Sequence, residues 1–336
     1  TITATGQVVD LDHTSNNFAT ILFGSSSNAV SSVEVVDTNA IVIGASKSTG
    51  NFTVTAGDDV TDSGTVTVGG NLSVTTSASD GLINMGDLRV DGSIALTTNG
   101  NGAATVVNDN GLTFAASTVR GALTATATAG NITQGAAVAV TGTSSFTTST
   151  SNADITLSNT GNAFASAVTL STTGSTAHAT IDNGTTTLDI AASSVGGDLT
   201  LISGHASGIT DSGNVTVGGN LVATTNAGNG VINMDTLRVD GTVALTTNGN
   251  GAATVVNDVG LIFAASTVGG VLSATATTGN ITQGSGNLAI TGAATFITVA
   301  GGSNIILDGS GNAFAAAVTM RAGNGTNAAF GNITFV

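Results

Sequence analysis

Apolar and small polar residues alternate over short stretches of this chain. In the stretch VTVGGNLVATT, Val215 and Val217 lie on one side of a glycine pair, and Leu221 and Ala223 lie on the other. Alternation of this kind predicts β-strands with one buried face. The pairs GG, DG, TG and NG follow such stretches and predict corners, because Gly and Asn can adopt positive φ. No stretch combines helical periodicity with caps, so we expect essentially no helix.

The same stretches recur at a fixed distance along the chain. Residues 64–135 match residues 213–284 at an offset of 149, and residues 138–170 match residues 288–320 at an offset of 150. The pattern therefore predicts a long internal repeat of about 149–150 residues. It covers 64–212 and 213–336, with 1–63 as a partial preceding repeat. We interpret 1–336 as a single continuous segment, and as an excerpt of a longer array.

A shorter period lies inside the long repeat. The first apolar residues of successive strand–corner stretches are spaced by about 22–27 residues, which is the size of one coil of a β-solenoid. The fold class predicted is all-β, a parallel β-helix of about 13 coils of about 22–27 residues each. The residues that mark these coils are Phe18, Ile41, Val66, Leu88, Leu112, Val138, Phe164, Leu188, Val215, Leu237, Leu261, Leu288 and Phe314.

The composition excludes several classes of protein. The mean hydropathy of +0.37 and the many β-branched residues argue against a disordered chain. The net charge of −15 disfavours nucleic acid as a partner, because nucleic-acid binding needs Lys and Arg. The chain has no Cys for disulfides or thiolate metal sites. No run of 18 apolar residues occurs, so we expect no membrane span.

Several short motifs resemble those of a known protein class. NITQG begins at Asn131 and again at Asn280, ITDSG begins at Ile209, and ITLSNTGNAF and IILDGSGNAF begin at Ile155 and Ile305. Together they resemble the repeats of large bacterial secreted surface proteins, the filamentous-haemagglutinin-like, β-strand-repeat adhesins. The resemblance implies a right-handed parallel β-helix and export to the bacterial cell surface. It also implies a role in adhesion, aggregation or a biofilm matrix.

The sequence offers no catalytic constellation. Arg89 and Arg238 are repeat-equivalent, and each lies two residues before an aspartate, Asp91 or Asp240, so we expect surface ion pairs. Pectate-lyase-like enzymes need a cluster of acids and basic residues in a groove, and sugar clefts usually use Trp or Tyr, which this chain lacks. The only other bases are Lys47, Arg120 and Arg321. The three histidines occupy unrelated positions in the repeat, and we expect them to be solvated on the surface: His13, His178 and His205.

Calcium is the one cofactor that the sequence suggests. Asp58, Asp59 and Asp62 lie together beside a glycine corner, and DSG recurs at Asp211. Loop carboxylates and carbonyl groups are suitable ligands for Ca²⁺. The nonapeptide calcium repeat is absent, however, and the second copy keeps only one of the three acids.

The function predicted is a non-catalytic, extracellular structural fibre or adhesin stalk. The expected partners are further copies of the chain, end to end or laterally in a fibre, and a host or neighbouring-cell surface. The alternative is a carbohydrate- or ice-binding β-solenoid. Outward Thr-x-Thr sequences, such as Thr124-x-Thr126-x-Thr128 and Thr65-x-Thr67, suggest an ice-binding ladder, although coils of unequal length argue against one regular face.

Overall fold

The protein is an all-β chain whose strands pair in parallel and stack as a β-solenoid, as the alternation predicts. The computed structural model describes residues 1–323 and 330–336, and these residues contain no helix. Contacts divide the chain into two compact units, Thr1–Ser166 (unit 1) and Ala167–Val336 (unit 2). Together the two units hold about 14 turns, close to the number that the sequence predicts.

Unit 1 is built from short strands joined by tight corners. Its strands are β1 (Val8–Leu11), β2 (Thr20–Ile21), β3 (Ser32–Asp37), β4 (Ile41–Ile43), β5 (Ser46–Ser48), β6 (Phe52–Ala56), β7 (Val60–Asp62), β8 (Val66–Val68), β9 (Leu72–Ser79), β10 (Ile83–Val90), β11 (Ser93–Asn99), β12 (Ala104–Asn108), β13 (Leu112–Phe114), β14 (Ser117–Val119), β15 (Leu123–Ala127), β16 (Ile132–Gln134), β17 (Val138–Val140), β18 (Ser144–Thr148), β19 (Ile155–Leu157) and β20 (Ala163–Phe164).

Unit 2 repeats this organisation. Its strands are β21 (Val168–Ser171), β22 (Ala179–Asp182), β23 (Leu188–Ile190), β24 (Ser193–Val195), β25 (Leu199–Ser203), β26 (Ile209–Asp211), β27 (Val215–Val217), β28 (Leu221–Gly228), β29 (Ile232–Val239), β30 (Thr242–Asn248), β31 (Ala253–Asn257), β32 (Leu261–Phe263), β33 (Ser266–Val268), β34 (Leu272–Ala276), β35 (Ile281–Gln283), β36 (Leu288–Ile290), β37 (Ala294–Thr298), β38 (Ile305–Leu307), β39 (Ala313–Phe314), β40 (Val318–Ala322) and β41 (Ile333–Phe335).

Several turns are shorter than the sequence spacing predicts. Strand register gives the length of a turn directly, because each residue pairs with its counterpart in the next turn. Ile83 pairs with Ala104, and Ala104 pairs with Leu123, so these two turns hold roughly 20 residues each. Ala294 pairs with Val318, so turns of the same solenoid also reach roughly 24 residues. These turns lie at or below the lower half of the predicted range, whereas Ile305 pairs with Ile333, so one turn of unit 2 reaches roughly 28 residues.

Sequence spacing overestimates turn length because the marker residues change sheet. Leu88, in β10, pairs with Asn108 in the next turn of the same sheet. Leu112, the next marker, instead begins β13 in the other sheet, where it pairs with Ile132. The distance from Leu88 to Leu112 is thus longer than one turn, and counting such markers underestimates the number of turns.

In each unit, one sheet changes from two short strands per turn to one long strand, and the other sheet changes in the opposite sense. In unit 1, β7 and β8 follow one another along one sheet, and the long strand β10 pairs with both of them. In the other sheet, the long strand β11 is followed by two short strands, β13 and β14. In unit 2, the long strand β29 likewise pairs with the short strands β26 and β27. The long strand β30 is followed by the short strands β32 and β33. The corner between two short strands thus moves from one sheet to the other.

The core consists of the inward residues of the strands. Val54, Val74 and Leu96 form one column in adjacent turns of unit 1, and all three are fully buried. A second column is formed across the core by three buried rings, with Phe146 on the sheet opposite Phe114 and Phe164. Neighbouring rings in this column meet edge to face, with centroids 6.1 and 5.5 Å apart. Such columns seal each turn with the next, which a single short coil cannot do alone.

Glycine corners are of two kinds. Some NG corners have the positive φ that the sequence predicts, as at Gly100 (+59°) and Gly249 (+61°). In the GG corner at Gly69 and Gly70, in contrast, neither residue has positive φ. A Cβ at Gly69 would instead lie 2.6 Å from the carbonyl oxygen of Thr49 in the preceding turn. The GG pair is therefore required by close stacking of backbones.

Ser144 provides a test of the core packing. Its hydroxyl is buried and has no hydrogen-bond partner among the residues that the structure describes, and Ala294 occupies the equivalent position in unit 2. We expect Ser144→Ala to raise the free energy of unfolding by about 1–3 kcal/mol, because it removes an unsatisfied buried group. The change is measured by urea unfolding followed by far-UV circular dichroism. The reciprocal variant, Ala294→Ser, should lower stability, and a destabilised Ser144→Ala would contradict this assignment.

Candidate functional site

Buried asparagines join consecutive turns in both units. The Oδ1 of Asn108 accepts a hydrogen bond from the Val90 N–H at 2.8 Å. Its Nδ2 donates to the carbonyl oxygens of Val90 at 3.1 Å and Gly111 at 2.7 Å. Asn257 makes the same contacts in unit 2. A fully buried amide is thus satisfied by backbone groups, and it holds β10 or β29 to the following turn.

Paired amides form a second connection between turns. Gln134 Nε2 donates to Asn162 Oδ1 at 2.8 Å, and Asn162 Nδ2 donates to Gln134 Oε1 at 2.9 Å. Gln283 and Asn312 form the same reciprocal pair in unit 2, with both distances 2.8 Å. The glutamine of NITQG and the asparagine of GNAF are therefore the two halves of one connection.

Corner asparagines form a third connection. Asn51 Oδ1 accepts the N–H of Asn71, and Asn71 Oδ1 accepts the N–H of Ser93 in the next turn, at 3.0 and 2.9 Å. In unit 2, Asn280 Oδ1 accepts the N–H of Asn304 at 2.8 Å. These side chains continue the backbone ladder through corners where no strand is formed.

Aspartates also bind the backbone of the next turn. Asp62 lies one turn before a β-bulge of β10, and its two carboxylate oxygens accept the N–H groups of Gly86 at 3.1 Å and Asp87 at 2.7 Å. In unit 2, Asp211 binds the N–H groups of the two equivalent positions, at 3.0 and 2.9 Å. The carboxylate thus satisfies two donors that the bulge leaves without strand partners.

The geometry gives the calcium hypothesis for Asp58, Asp59 and Asp62 no support. The carboxylate of Asp59 accepts the N–H of Leu82 at 2.9 Å, that of Asp62 is occupied by the bulge, and Asp58 is exposed. Throughout residues 1–323 and 330–336, no three His, Cys, Asp or Glu side chains form a group that could hold a metal ion. Two of the three carboxylates are thus directed to separate backbone donors rather than to one centre.

We predict that Asp62→Ala lowers the free energy of unfolding by about 1–2 kcal/mol, since two charge-assisted hydrogen bonds are lost at a partly exposed site. Asp211→Ala should have a similar effect, and Asp58→Ala should have almost none. Thermal melting of the wild type with EDTA, and with added Ca²⁺, separates this role from metal binding. A midpoint that falls with EDTA in the wild type but not in Asp58→Ala or Asp62→Ala would restore the calcium site.

Each histidine accepts a backbone hydrogen bond through Nδ1. His13 accepts the N–H of Ser15 at 3.1 Å, and His205 accepts the N–H of Ser207 at 3.0 Å, so both stabilise the corner in which they lie. His178 instead accepts the N–H of Asp198 in the next turn at 2.9 Å. The three imidazoles therefore serve three different corners of the solenoid, as their unrelated positions in the repeat predict.

The expected arginine–aspartate pair forms in unit 2, with an additional partner. Arg238 lies 3.4 Å from Asp240, two residues along the chain, and 3.9 Å from Asp258. Asp258 belongs to the following turn, so sequence spacing alone could not identify it. The side chains of Arg238 and Asp240 are about half exposed. Such a pair contributes little to stability, because water screens both charges.

The equivalent arginine of unit 1 has a different partner. Arg89 lies 3.4 Å from Asp109 in the following turn, whereas the sequence spacing predicts Asp91. Asp91 instead accepts a hydrogen bond from the Asn110 side chain at 2.8 Å. The pairing between turns therefore replaces the pairing along the strand at this position, although both arginines occupy the same place in the repeat.

The outward hydroxyl rows are irregular in unit 1. Thr126 pairs with Thr147, whereas Thr128 lies beyond the end of β15. Thr65 precedes β8, and its hydroxyl donates to Asp87 rather than belonging to a row. In unit 2, Thr275 keeps the position of Thr126, but its neighbours in the row are larger residues, namely Val256, Ile297 and Arg321. A flat face of threonines, as ice binding would need, is therefore interrupted in both units.

Comparison with known proteins gives one family. A family model described as repeats of unknown function (DUF5649) matches residues 30–101, 101–171 and 250–321, which together are more than half of the chain. No curated protein and no solved structure matches the chain. The part of the chain that the structure describes contains no helix long and apolar enough to cross a membrane.

Proposed function

Since the chain belongs to the family of repeats of unknown function DUF5649, we propose that it is a non-catalytic structural element. We propose further that it acts as a fibre or adhesin stalk outside a bacterial cell. Its role is mechanical: stacked parallel strands hold a binding surface away from the cell or contribute to a matrix. Its partners are other copies of the chain and the surface of a host or neighbouring cell.

One observation carries this proposal: polar side chains that could perform chemistry are used to join turns. Asp62, Asp211 and Asn108 bind backbone groups of a neighbouring turn. The buried Asp37 accepts the N–H of Phe18, which lies in the preceding turn, through one of its carboxylate oxygens. A protein whose acids and amides reinforce the ladder between turns is suited to resisting force.

The resemblance to secreted β-strand-repeat adhesins supports the extracellular location. Its motifs NITQG and GNAF coincide with the reciprocal pairs Gln134–Asn162 and Gln283–Asn312. The residues that carry the resemblance are therefore residues that connect turns. This correspondence supports a shared architecture, and from it we infer a shared structural role.

Labelling of intact cells that make the protein tests the proposal. Antibodies against the purified chain should bind before permeabilisation, and external protease should remove the signal. Deletion of the gene should reduce attachment of the cells to each other or to a surface. Antibodies against a cytoplasmic protein provide the control for intact membranes. Labelling that appears only after permeabilisation would contradict the proposed function.

A further inference from the structure

A small groove lies beside the β-bulge of β29 in unit 2. It has a volume of about 230 Å³ and is lined by Asn214, Thr216, Asp235, Arg238, Val256 and Asp258, among others. We call it the Arg–Asp groove. Sites for drug-sized ligands usually measure about 300–1,000 Å³, so a groove of this size is suited to a single small ring.

The guanidinium group of the groove lies beside two carboxylates. Arg238 pairs with Asp240 at 3.4 Å and faces Asp258 at 3.9 Å. Its side chain is about half exposed, so several N–H donors remain open to the groove. With its charge balanced by two carboxylates, this arginine offers directional donors without attracting an anion strongly.

Acceptors and an apolar wall complete the groove. The N–H of Asp235 donates to the carboxylate of Asp211 at 3.0 Å, and the side chain of Asp235 is exposed on the bulge. The hydroxyl of Thr277 is occupied, because it donates to the Asp258 carbonyl oxygen at 2.8 Å. Val256 contributes methyl groups to the lining. The groove thus presents donors, acceptors and a small apolar surface together.

Unit 1 keeps only part of this set 149 positions earlier. Arg89 lies 3.4 Å from Asp109. Gly86, however, takes the place of Asp235, so the carboxylate at that position of the bulge is missing. The residues around Arg89 therefore provide a natural comparison for the Arg–Asp groove of unit 2.

We propose that the Arg–Asp groove of unit 2 binds one hexose ring of a neutral saccharide. Hydroxyl groups both donate and accept hydrogen bonds, so they match carboxylates next to guanidinium and amide donors. The C–H face of a sugar ring can rest on the valine. An anionic ligand would meet more carboxylates than bases in this groove. Sugar binding of this kind would add to the structural role and does not depend on it.

Saturation-transfer NMR detects such binding. The probes are methyl β-glucoside, methyl β-galactoside and methyl α-mannoside at millimolar concentration, with N-acetylneuraminic acid as the anionic comparison. We expect at least one neutral glycoside to receive saturation from the wild-type chain. Arg238→Met should reduce the signal about tenfold, since hydrogen bonds to a charged donor are lost. Arg89→Met, at the equivalent position of unit 1, should leave the signal unchanged.

Matched variants make the result decisive. Methionine retains the apolar stem of these exposed arginines, and thermal melting verifies that the fold is intact. Arg120→Met, which changes an arginine that follows β14 outside the lining of the groove, should also leave the signal unchanged. The proposal is overturned if no neutral glycoside receives saturation, or if only N-acetylneuraminic acid does. It is also overturned if Arg238→Met behaves like the wild type, or if Arg89→Met or Arg120→Met loses the signal equally.

Discussion

Phe146→Ala is expected to lower the free energy of unfolding by about 3–5 kcal/mol, because it removes a buried ring from the centre of a packed column. Phe146 is fully buried and lies between two other rings, Phe114 and Phe164, at 6.1 and 5.5 Å. Removing the ring leaves a cavity that the rigid ladders above and below cannot fill. Urea unfolding followed by far-UV circular dichroism measures the change, since the chain has no Trp or Tyr for fluorescence.

Three variants separate packing from other effects at this position. Phe146→Leu keeps most of the volume and should lose less than half as much stability as Phe146→Ala. Thr147→Ala changes the neighbouring outward residue and should alter stability by no more than about 0.5 kcal/mol. Phe296→Ala, between Phe263 and Phe314 in unit 2, should match Phe146→Ala. Equal effects of Phe146→Ala and Thr147→Ala would show that the ring column does not stabilise the turns.

Asn108→Ala should lower the free energy of unfolding by about 2–5 kcal/mol. The substitution removes three hydrogen bonds and leaves buried backbone groups of Val90 without partners. A mutation to Asp tests the donors separately, because a carboxylate keeps the acceptor for the Val90 N–H but cannot donate to Val90 or Gly111. Asn108→Asp should therefore also be strongly destabilising. The same unfolding measurement applies.

Asn110→Ala is the matched control for Asn108→Ala. The side chain of Asn110 lies at an exposed contact, where it donates one hydrogen bond to Asp91 at 2.8 Å. We expect a loss of no more than about 0.5 kcal/mol. Asn257→Ala in unit 2 should behave like Asn108→Ala, because its contacts are the same. If Asn108→Ala proved as mild as Asn110→Ala, the buried amide would not be a connection between turns.

The fold class could be predicted from sequence because the alternation of apolar residues is local. Strands such as Val215–Val217 have their inward residues two apart, and this spacing recurs from turn to turn. Turn length could not be predicted in the same way. Leu88 and Leu112 look alike as the starts of strands, yet they lie in different sheets. Only the pairing of strands distinguishes the two positions.

The polar connections between turns were harder to predict than the core. Asp62 looks like a possible calcium ligand because its neighbours are acidic, but its partners lie 24 and 25 residues further along the chain. Asn108 looks like a surface corner residue, although it is completely buried. A signal was present in the repeated sequence VVND, which keeps this asparagine at the same place in both long repeats. Whether this asparagine is buried and connects two turns depends on which turn lies next to it.

Single-molecule pulling on the two chain ends tests whether the side-chain connections between turns give each turn resistance to force. A turn such as that from Ile83 to Ala104 holds about 21 residues and releases roughly 70 Å when fully extended. We predict that the chain lengthens in steps that are multiples of this value, and that Asn108→Ala with Asn257→Ala lowers the force needed. Steps unrelated to the turn length, together with forces unchanged in the double variant, would contradict this role of the connections.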